Sequence, residues 1–344
     1  VVPISVKLIV LGGHFGSGKT TLLLKFLALL MKDKWKVGAL LNDVGPVDFK
    51  LVASMADCPV EEVSRLCMCI KEKDLKAALK RLLDSKDDII LVEEIGFGNP
   101  HKCWNTLSNH MSVLNGPFEL NPITVLVDGE FLVKSYQGFV STLPPIMAQQ
   151  LSEADIIVVN KCDLIPDDSR ATIEGILKGV NTRARILFIS AASSDGVEGL
   201  LSDLMTARWS PKPPLTMPEV AQRRTEEFSN MHWSAYRVEF ELQDESAFQD
   251  TMREILMRSG DGMLKSGGQI VRVKAYLEAP SNRIYASLTP DLKVEFYPGS
   301  ETVKIRSGVL TLSFVVKAIK GEEVSSALKK ALSVIGGKFS VKRV

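Results

Sequence analysis

Short, near-continuous apolar runs alternate with longer amphipathic stretches up to about residue 208. The runs are VKLIVLGG, KVGALLND, DIILVEE, PITVLVDG, ADIIVVNK and ARILFIS. Runs of this kind mark strands buried on both faces of a parallel sheet. Between them, Lys19–Lys32, Lys71–Ser85, Leu143–Ser152, Ser169–Gly179 and Val197–Ala207 carry helical spacing. The alternation predicts a doubly wound, mostly parallel α/β domain over residues 1–208. The stretch WSPKPPLTMPE holds four prolines and predicts an extended linker, placed at residues 209–232. From Trp233 the texture changes. SAYRVEFEL, QIVRVKAYLEA, RIYASL, KVEFYPG and TLSFVVKAI read as strands, with helices over SAFQDTMREILMRS and around Val324–Ile335. This predicts a smaller α+β domain with an antiparallel sheet over residues 233–344.

Composition narrows the class without naming a function. The chain has 344 residues, 45% hydrophobic and 24% charged, with a formal net charge of +1. That balance gives no reason to expect a nucleic-acid partner or an anionic membrane surface. Five cysteines, an odd number thinly spread, and the lack of a signal-peptide pattern suggest a reducing, cytoplasmic setting rather than a disulfide framework. The most apolar helical run, TLLLKFLALLM, is interrupted by Lys25 and is shorter than the ~20 apolar residues of a membrane span.

The first chemistry-bearing motif is GHFGSGKT, from Gly13 to Thr20, which fits G-x-x-x-x-G-K-[ST]. It follows an apolar run and opens a helix, the setting of a phosphate-binding loop. Gly13, Gly16 and Gly18 let the backbone curl, so that successive N–H groups from Gly13 through His14, Phe15 and Ser17 to Thr21 can face phosphate oxygens. The helix N-terminus adds partial positive charge, Lys19 reaches the outer phosphates, and Thr20 offers a hydroxyl to Mg²⁺. The fold class expected is therefore a P-loop NTPase. His14 stands where ATPases with a signature lysine carry Lys, which turns the expectation away from that ATP-using branch.

The second motif selects the base. In VVNKCDLI, Asn160, Lys161 and Asp163 fit the N-K-x-D pattern that reads guanine in GTPases. A carboxylate can accept from guanine N1–H and its exocyclic amine; adenine lacks that donor pair and would leave the charge unpaired, at a cost of ~1–3 kcal/mol or more. Ser190 and Ala191, in FISAASSDG, supply the loop whose backbone N–H would meet guanine O6. Between the motifs, LLNDVGPVDFK carries Asn42, Asp43 and Asp48, and ILVEEIGFGNP carries Glu93 and Gly96. Strand-end acids there can bind Mg²⁺ or orient water, and the Gly96 N–H can approach a γ-phosphate. Ordinary loop polarity is the plain alternative for both acids.

The order GHFGSGKTT, NDVG, LCMC, VEEIG, VDGEF, QLSEADIIVVNKCDL and SA resembles the CobW branch of the metal-centre-assembly GTPases. The resemblance spans about residues 6–205; the C-terminal part has only the size and mixed character of that family's second domain. It implies phosphate and Mg²⁺ binding by Gly13, Gly16, Gly18, Lys19, Thr20 and Thr21. It further implies switch acids at Asp43 and Glu93, and guanine reading by Asn160, Lys161 and Asp163. By the same resemblance, GTP binding and slow hydrolysis would control delivery of a metal ion or cobalamin-type cofactor to a client metalloenzyme or corrinoid protein, with nucleotide-dependent homodimers common among relatives.

That family carries C-x-C-C where this chain has Cys67-Met68-Cys69-Ile70. Two thiolates do not complete a tetrahedral zinc site, so Cys58, Glu61, Glu62, His14 and His101 are candidate additions, and Zn²⁺, Co²⁺, Ni²⁺ or Cu⁺ candidate ions. In an extended C-x-C the sulfurs face apart and converge only in a turn. Two buried thiols without metal are the bland reading, and Cys103 and Cys162 read as incidental. Two further functions stay open at this point: a GTP-dependent interaction module that carries no metal, and a kinase for a small molecule, which the guanine motif disfavours.

Overall fold

The apolar runs form strands because each is long enough to cross a sheet and carries no polar face to solvate. The computed structural model describes residues 5–114, 117–135, 143–211, 218–280, 282–297 and 304–344. In chain order the first elements are β1 (Val6–Gly13), α1 (Lys19–Lys32), β2 (Val37–Asp43), α2 (Val47–Met55), β3 (Val60–Ser64), α3 (Glu72–Asp84), β4 (Ile89–Glu93) and α4 (Pro100–Leu114). There follow β5 (Phe118–Leu120), β6 (Thr124–Asp128), α5 (Gly129–Ser135), α6 (Pro145–Glu153), β7 (Ile156–Asn160), α7 (Arg170–Val180), β8 (Arg185–Phe188), α8 (Val197–Thr206) and α9 (Pro218–Ser229). The remainder is β9 (Met231–Ala247), α10 (Phe248–Lys265), β10 (Gln269–Ala279), β11 (Asn282–Leu288), β12 (Val294–Phe296), β13 (Lys304–Lys317), α11 (Gly321–Ala331) and β14 (Gly337–Arg343).

Two units divide the chain: one of residues up to Asp43 with Val52–Phe228, the other of Val44–Leu51 with Ser229–Val344. The first holds an eight-stranded sheet in the order β3-β2-β4-β1-β6-β7-β8, with β5 beside the start of β1. Its pairings are all parallel. Every residue of β2, β4 and β7 is buried, which accounts for their lack of alternation. This is the P-loop NTPase fold the sequence pattern called for. The carboxyl ends of β1, β2, β4 and β7 deliver the phosphate loop, Asp43, Glu93 and Asn160 to one edge of the sheet, where ligands bind in open α/β folds.

Five elements of this unit are not in the sequence reading, among them the short helix α5 directly after β6. β3 is a short, acid-rich edge strand, and β5 has only three residues, so neither shows an apolar run. α4 opens on Pro100, whose fixed φ suits the first helical turn, and buries Cys103, Trp104, Leu107 and Met111 along one face between polar residues. α9 corrects the linker expectation: residues 218–229 are helical, because only the start of that stretch is dense in proline. Residues 212–217 lie outside the described residues. Among the described residues, no helix is long and apolar enough to cross a membrane.

The second unit holds a six-stranded antiparallel sheet in the order β12-β11-β10-β13-β9-β14. Alternate residues Val238, Phe240, Val273, Ala275, Leu310, Leu312 and Phe314 pack with Phe248, Ile255 and Leu256 of α10 and Val324 and Leu328 of α11. Phe240 and Phe248 stack with ring centroids 4.3 Å apart. Residues Val44–Leu51 also belong to this unit, and they bring in a fully buried carboxylate. Asp48 accepts from Lys274 Nζ at 2.5 and 2.6 Å, from Arg272 Nη1 at 3.3 Å and from the Tyr285 hydroxyl at 3.2 Å. Asp48, one of the polar residues singled out after the second apolar run, is thus tied into the second sheet.

Candidate functional site: a phosphate loop, a base loop and a thiol cluster

The phosphate loop takes the shape its glycines allow. Gly13, Gly16 and Gly18 have φ of 133°, 78° and 91°, a region that side chains disfavour, and Gly18 caps α1. Lys19 is buried, and its ammonium donates to the carbonyls of Gly13 at 2.8 Å and His14 at 3.1 Å. The Thr20 hydroxyl donates to Glu93 Oε1 at 3.0 Å, which brings together two of the oxygen ligands expected for Mg²⁺. Asp43, the third, is buried at the end of β2. Hydroxyl and carboxylate oxygens are the donor set a hard divalent cation takes, so these residues fit Mg²⁺.

The side chain of Phe15 turns inward: its ring meets Phe97 edge-on at 5.9 Å, and a Cβ at Gly96 would overlap it. Only its backbone is placed to contribute to the loop. Gly96 needs its missing side chain for that close approach. The Gln150 side-chain amide of α6 donates to the carbonyls of Gly96 at 3.2 Å and Gly98 at 3.1 Å, fixing the loop after Glu93 from a distance in sequence.

In the base loop, Asn160 is engaged with the protein itself. Its Nδ2 donates to the Ser17 carbonyl at 2.8 Å, and its Oδ1 accepts the Ala191 N–H at 2.9 Å. One buried amide thereby ties the phosphate loop to the Ser190–Ala191 loop. Lys161 adopts a φ of 63° and donates to Asp128 Oδ2 at 2.7 Å. Asp128, at the end of β6, escaped the sequence reading because the motif names no partner for its lysine. Asp163 is exposed in a short 3-10 turn, and Ser190 is buried, with its hydroxyl oxygen accepting the Ser193 N–H at 3.1 Å.

The cysteine stretch forms a turn, the conformation in which a C-x-C pair can converge. Arg65 has φ 76°, and the N–H groups of Ile70 and Lys71 return to the Cys67 carbonyl at 2.9 and 3.2 Å. The sulfurs of Cys67 and Cys69 lie within bonding distance of each other, with Cα atoms 5.3 Å apart. Cys103, read as incidental from the sequence, lies beside this pair. Its Sγ lies 3.5 Å from that of Cys67, and the Sγ atoms of Cys67, Cys69 and Cys103 all lie within 4.8 Å of one another. α4 supplies this third thiol, in place of the adjacent position held by Ile70.

Among the described residues, the other candidate ligands do not join this cluster. Glu61 binds Arg81 instead, at 2.7 and 2.6 Å. Cys58 remains separate, its thiol pushed up to about 11 by burial, with Asp87 and Asp57 adding to the effect. Burial also lifts the Cys103 thiol well above its ordinary range, reinforced by the carboxyl of Glu94 beside it. Glu94 is itself fully buried and is raised to about 7 by burial, against the opposing pull of Cys103 and Lys19.

Two curated proteins are similar to part of the chain. The chain is 27% identical over 212 residues to the zinc-regulated GTPase metalloprotein activator 1 of Dictyostelium discoideum, covering 52% of this chain and 44% of that protein. It is 27% identical over 207 residues to the protein of the same name in Schizosaccharomyces pombe, covering 57% and 48%. The matches thus span about half the length of these relatives. Among solved structures, the hydrogenase maturation factor HypB of Archaeoglobus fulgidus aligns with 22% identity and a TM-score of 0.40, covering 58% of this chain and 89% of that one. The nucleotide-binding domain of CobW, HypB and UreG matches residues 7–188, more than half of the chain. With its phosphate loop, strand-end acids and N-K-x-D loop inside that span, the chain belongs to the CobW/HypB/UreG family of P-loop GTPases.

Proposed function

We propose that the chain binds GTP with Mg²⁺, hydrolyses it slowly, and couples that cycle to the transfer of one transition-metal ion to a client protein. The observation that carries this reading is the convergence of Cys67, Cys69 and Cys103 in the unit that also holds the phosphate loop. Three sulfurs form a soft donor set suited to Zn²⁺ or Cu⁺, with Co²⁺ and Ni²⁺ as alternatives. The ion here is cargo. The name of the curated relatives, zinc-regulated metalloprotein activators, supports zinc as the first ion to test and a metalloprotein as the client.

In this reading Lys19, Thr20, Asp43 and Glu93 bind the phosphates and Mg²⁺, while Asp163 accepts from guanine and Lys161 frames the base. Asp43 and Glu93 then hold the switch segments while the γ-phosphate is present and release them after hydrolysis. Lys19→Ala should abolish nucleotide binding, and Asp163→Ala should remove the preference for guanine over adenine.

The test is competitive titration of the reduced protein with Zn²⁺, Co²⁺, Ni²⁺ and Cu⁺, with and without GTP and Mg²⁺. One-to-one binding that GTP alters and Cys67→Ala/Cys69→Ala abolishes supports the reading. Equal binding by wild type and variant overturns it.

A second reading has one observation in its favour. Cys67 and Cys69 are paired with each other in the structure, an arrangement that leaves neither sulfur as a thiolate for a metal. The chain would then be a GTP-dependent interaction module for a corrinoid or other metalloenzyme, carrying no metal itself. Metal binding that stays absent after full reduction would favour it.

A further inference from the structure

Asn42 precedes Asp43 at the end of β2 and is almost fully buried. Its Nδ2 donates to the carbonyls of Val63 at 2.7 Å and Leu66 at 2.8 Å, while its Oδ1 accepts the Met68 N–H at 2.9 Å. These partners lie in the segment that runs from β3 into the thiol turn, and Met68 stands between the two cysteines. The neighbouring backbone adds a fourth link, since the Asp43 carbonyl accepts the Arg65 N–H at 2.8 Å. Among the described residues, no strand pairing reaches Cys67 or Cys69: the register of β2 with β3 ends at Asp43 and Ser64. Beyond that point the Asn42 amide replaces the ladder.

We propose that Asn42 is the positioning residue that couples the nucleotide site to the thiol cluster. Asp43 and Asn42 are adjacent on one strand and face opposite sides. One is placed to sense Mg²⁺ and the other grips the cysteine turn. Hydrogen bonds of 2.7–2.9 Å weaken steeply with displacement, so a shift of the strand end must either carry the turn with it or break the grip. Either response changes the spacing of Cys67 and Cys69 relative to Cys103, which is anchored separately on α4. The coupled partner is therefore a thiolate-bound metal ion whose affinity depends on GTP.

The inference rests on the proposed function for its two ends, Mg²⁺ at Asp43 and metal at the thiols. The test compares reduced wild type and Asn42→Ala, using Co²⁺ as the probe and the thiolate-to-cobalt charge-transfer band as the readout. Affinities are measured with GDP and with a non-hydrolysable GTP analogue. In wild type, the two nucleotides should give Co²⁺ affinities that differ by about fivefold or more. In Asn42→Ala the charge-transfer band should persist, the nucleotide affinity should stay within about threefold, and the nucleotide-dependent ratio should collapse to near one. A ratio unchanged from wild type overturns the proposal. An equal loss of Co²⁺ binding in both nucleotide states also overturns it, because a purely structural clasp would behave that way.

Hydrogen–deuterium exchange in the wild type over residues 60–71 needs neither the variant nor the metal. Exchange that differs between GDP and the GTP analogue supports the coupling, and identical exchange overturns it. If the wild type binds no Co²⁺, the proposed metal transfer fails, and this exchange result still decides whether the turn follows the nucleotide. A wild type that binds no GTP removes both.

Discussion

The Sγ atoms of Cys67 and Cys103 lie 3.5 Å apart, although the two residues are 36 positions apart in the chain. One comes from the turn after β3 and the other from the buried face of α4. Cys103→Ala should therefore weaken metal binding by the reduced protein by about tenfold or more, since even losses outside the direct ligands cost about 10–100-fold in other sites. Cys58→Ser, at a thiol outside the cluster, should leave the affinity unchanged. Competitive titration of both variants beside wild type makes the comparison, and equal affinities for wild type and Cys103→Ala would remove Cys103 from the site.

The Asn160 amide joins the Ser17 carbonyl to the Ala191 N–H. Asn160→Ala deletes both bonds and leaves those buried groups without this partner, at about 1–3 kcal/mol. Guanine nucleotide affinity should fall about 10- to 100-fold, as that range implies. Asp163→Asn should act differently, because Asp163 is exposed: thermal stability stays at the wild-type value while discrimination against ATP is lost. Calorimetric titration with GDP and ADP separates the two effects.

Asp48 sits fully buried against Lys274 and Arg272. Asp48→Ala strands two cations in the second unit and should cost about 3–5 kcal/mol. Lys50→Ala, which removes the partly exposed pair with Glu278, should cost no more than about 1 kcal/mol. Urea denaturation measures both. A two-unit chain can unfold in two steps, so the transition belonging to the second unit is the one to compare.

Asp87 gives a pH signature. It is buried beside Gly38, its Oδ2 has no hydrogen-bond partner among the described residues, and its pKa is raised to about 6 by burial, then by Asp88, with Lys36 opposing. An unfolded aspartate titrates near ~3.9. Between that value and about 6 the unfolded chain loses its proton while the folded one keeps it, so this residue's contribution to stability is present at low pH and lost as pH rises. Asp87→Asn should flatten that slope and be the more stable protein at pH 7. Denaturant midpoints at pH 4 and pH 7 check it; parallel slopes for variant and wild type would rule the assignment out.

The sequence by itself determined the parts of this protein whose physics is local. A glycine-rich loop between an apolar run and a helix can be read without coordinates, because the curl, the helix start and the lysine lie within eight residues, Gly13 to Thr20. Strands buried on both faces announce themselves as apolar runs, and the half-exposed strands of the second unit by alternation, so both sheets were legible. The tertiary structure alone decided which distant residues come together. Cys103 joins Cys67, Asp128 meets Lys161, Gln150 holds the Gly96 loop and Asn42 grips the cysteine turn only after strand order has placed distant segments side by side. Asp48 shows the same limit: it reads as loop polarity within its own segment, and its partners arrive more than two hundred residues later. A side chain's own neighbours in sequence set its backbone conformation. Its hydrogen bonds and metal-forming contacts depend on chain crossings that no local pattern encodes.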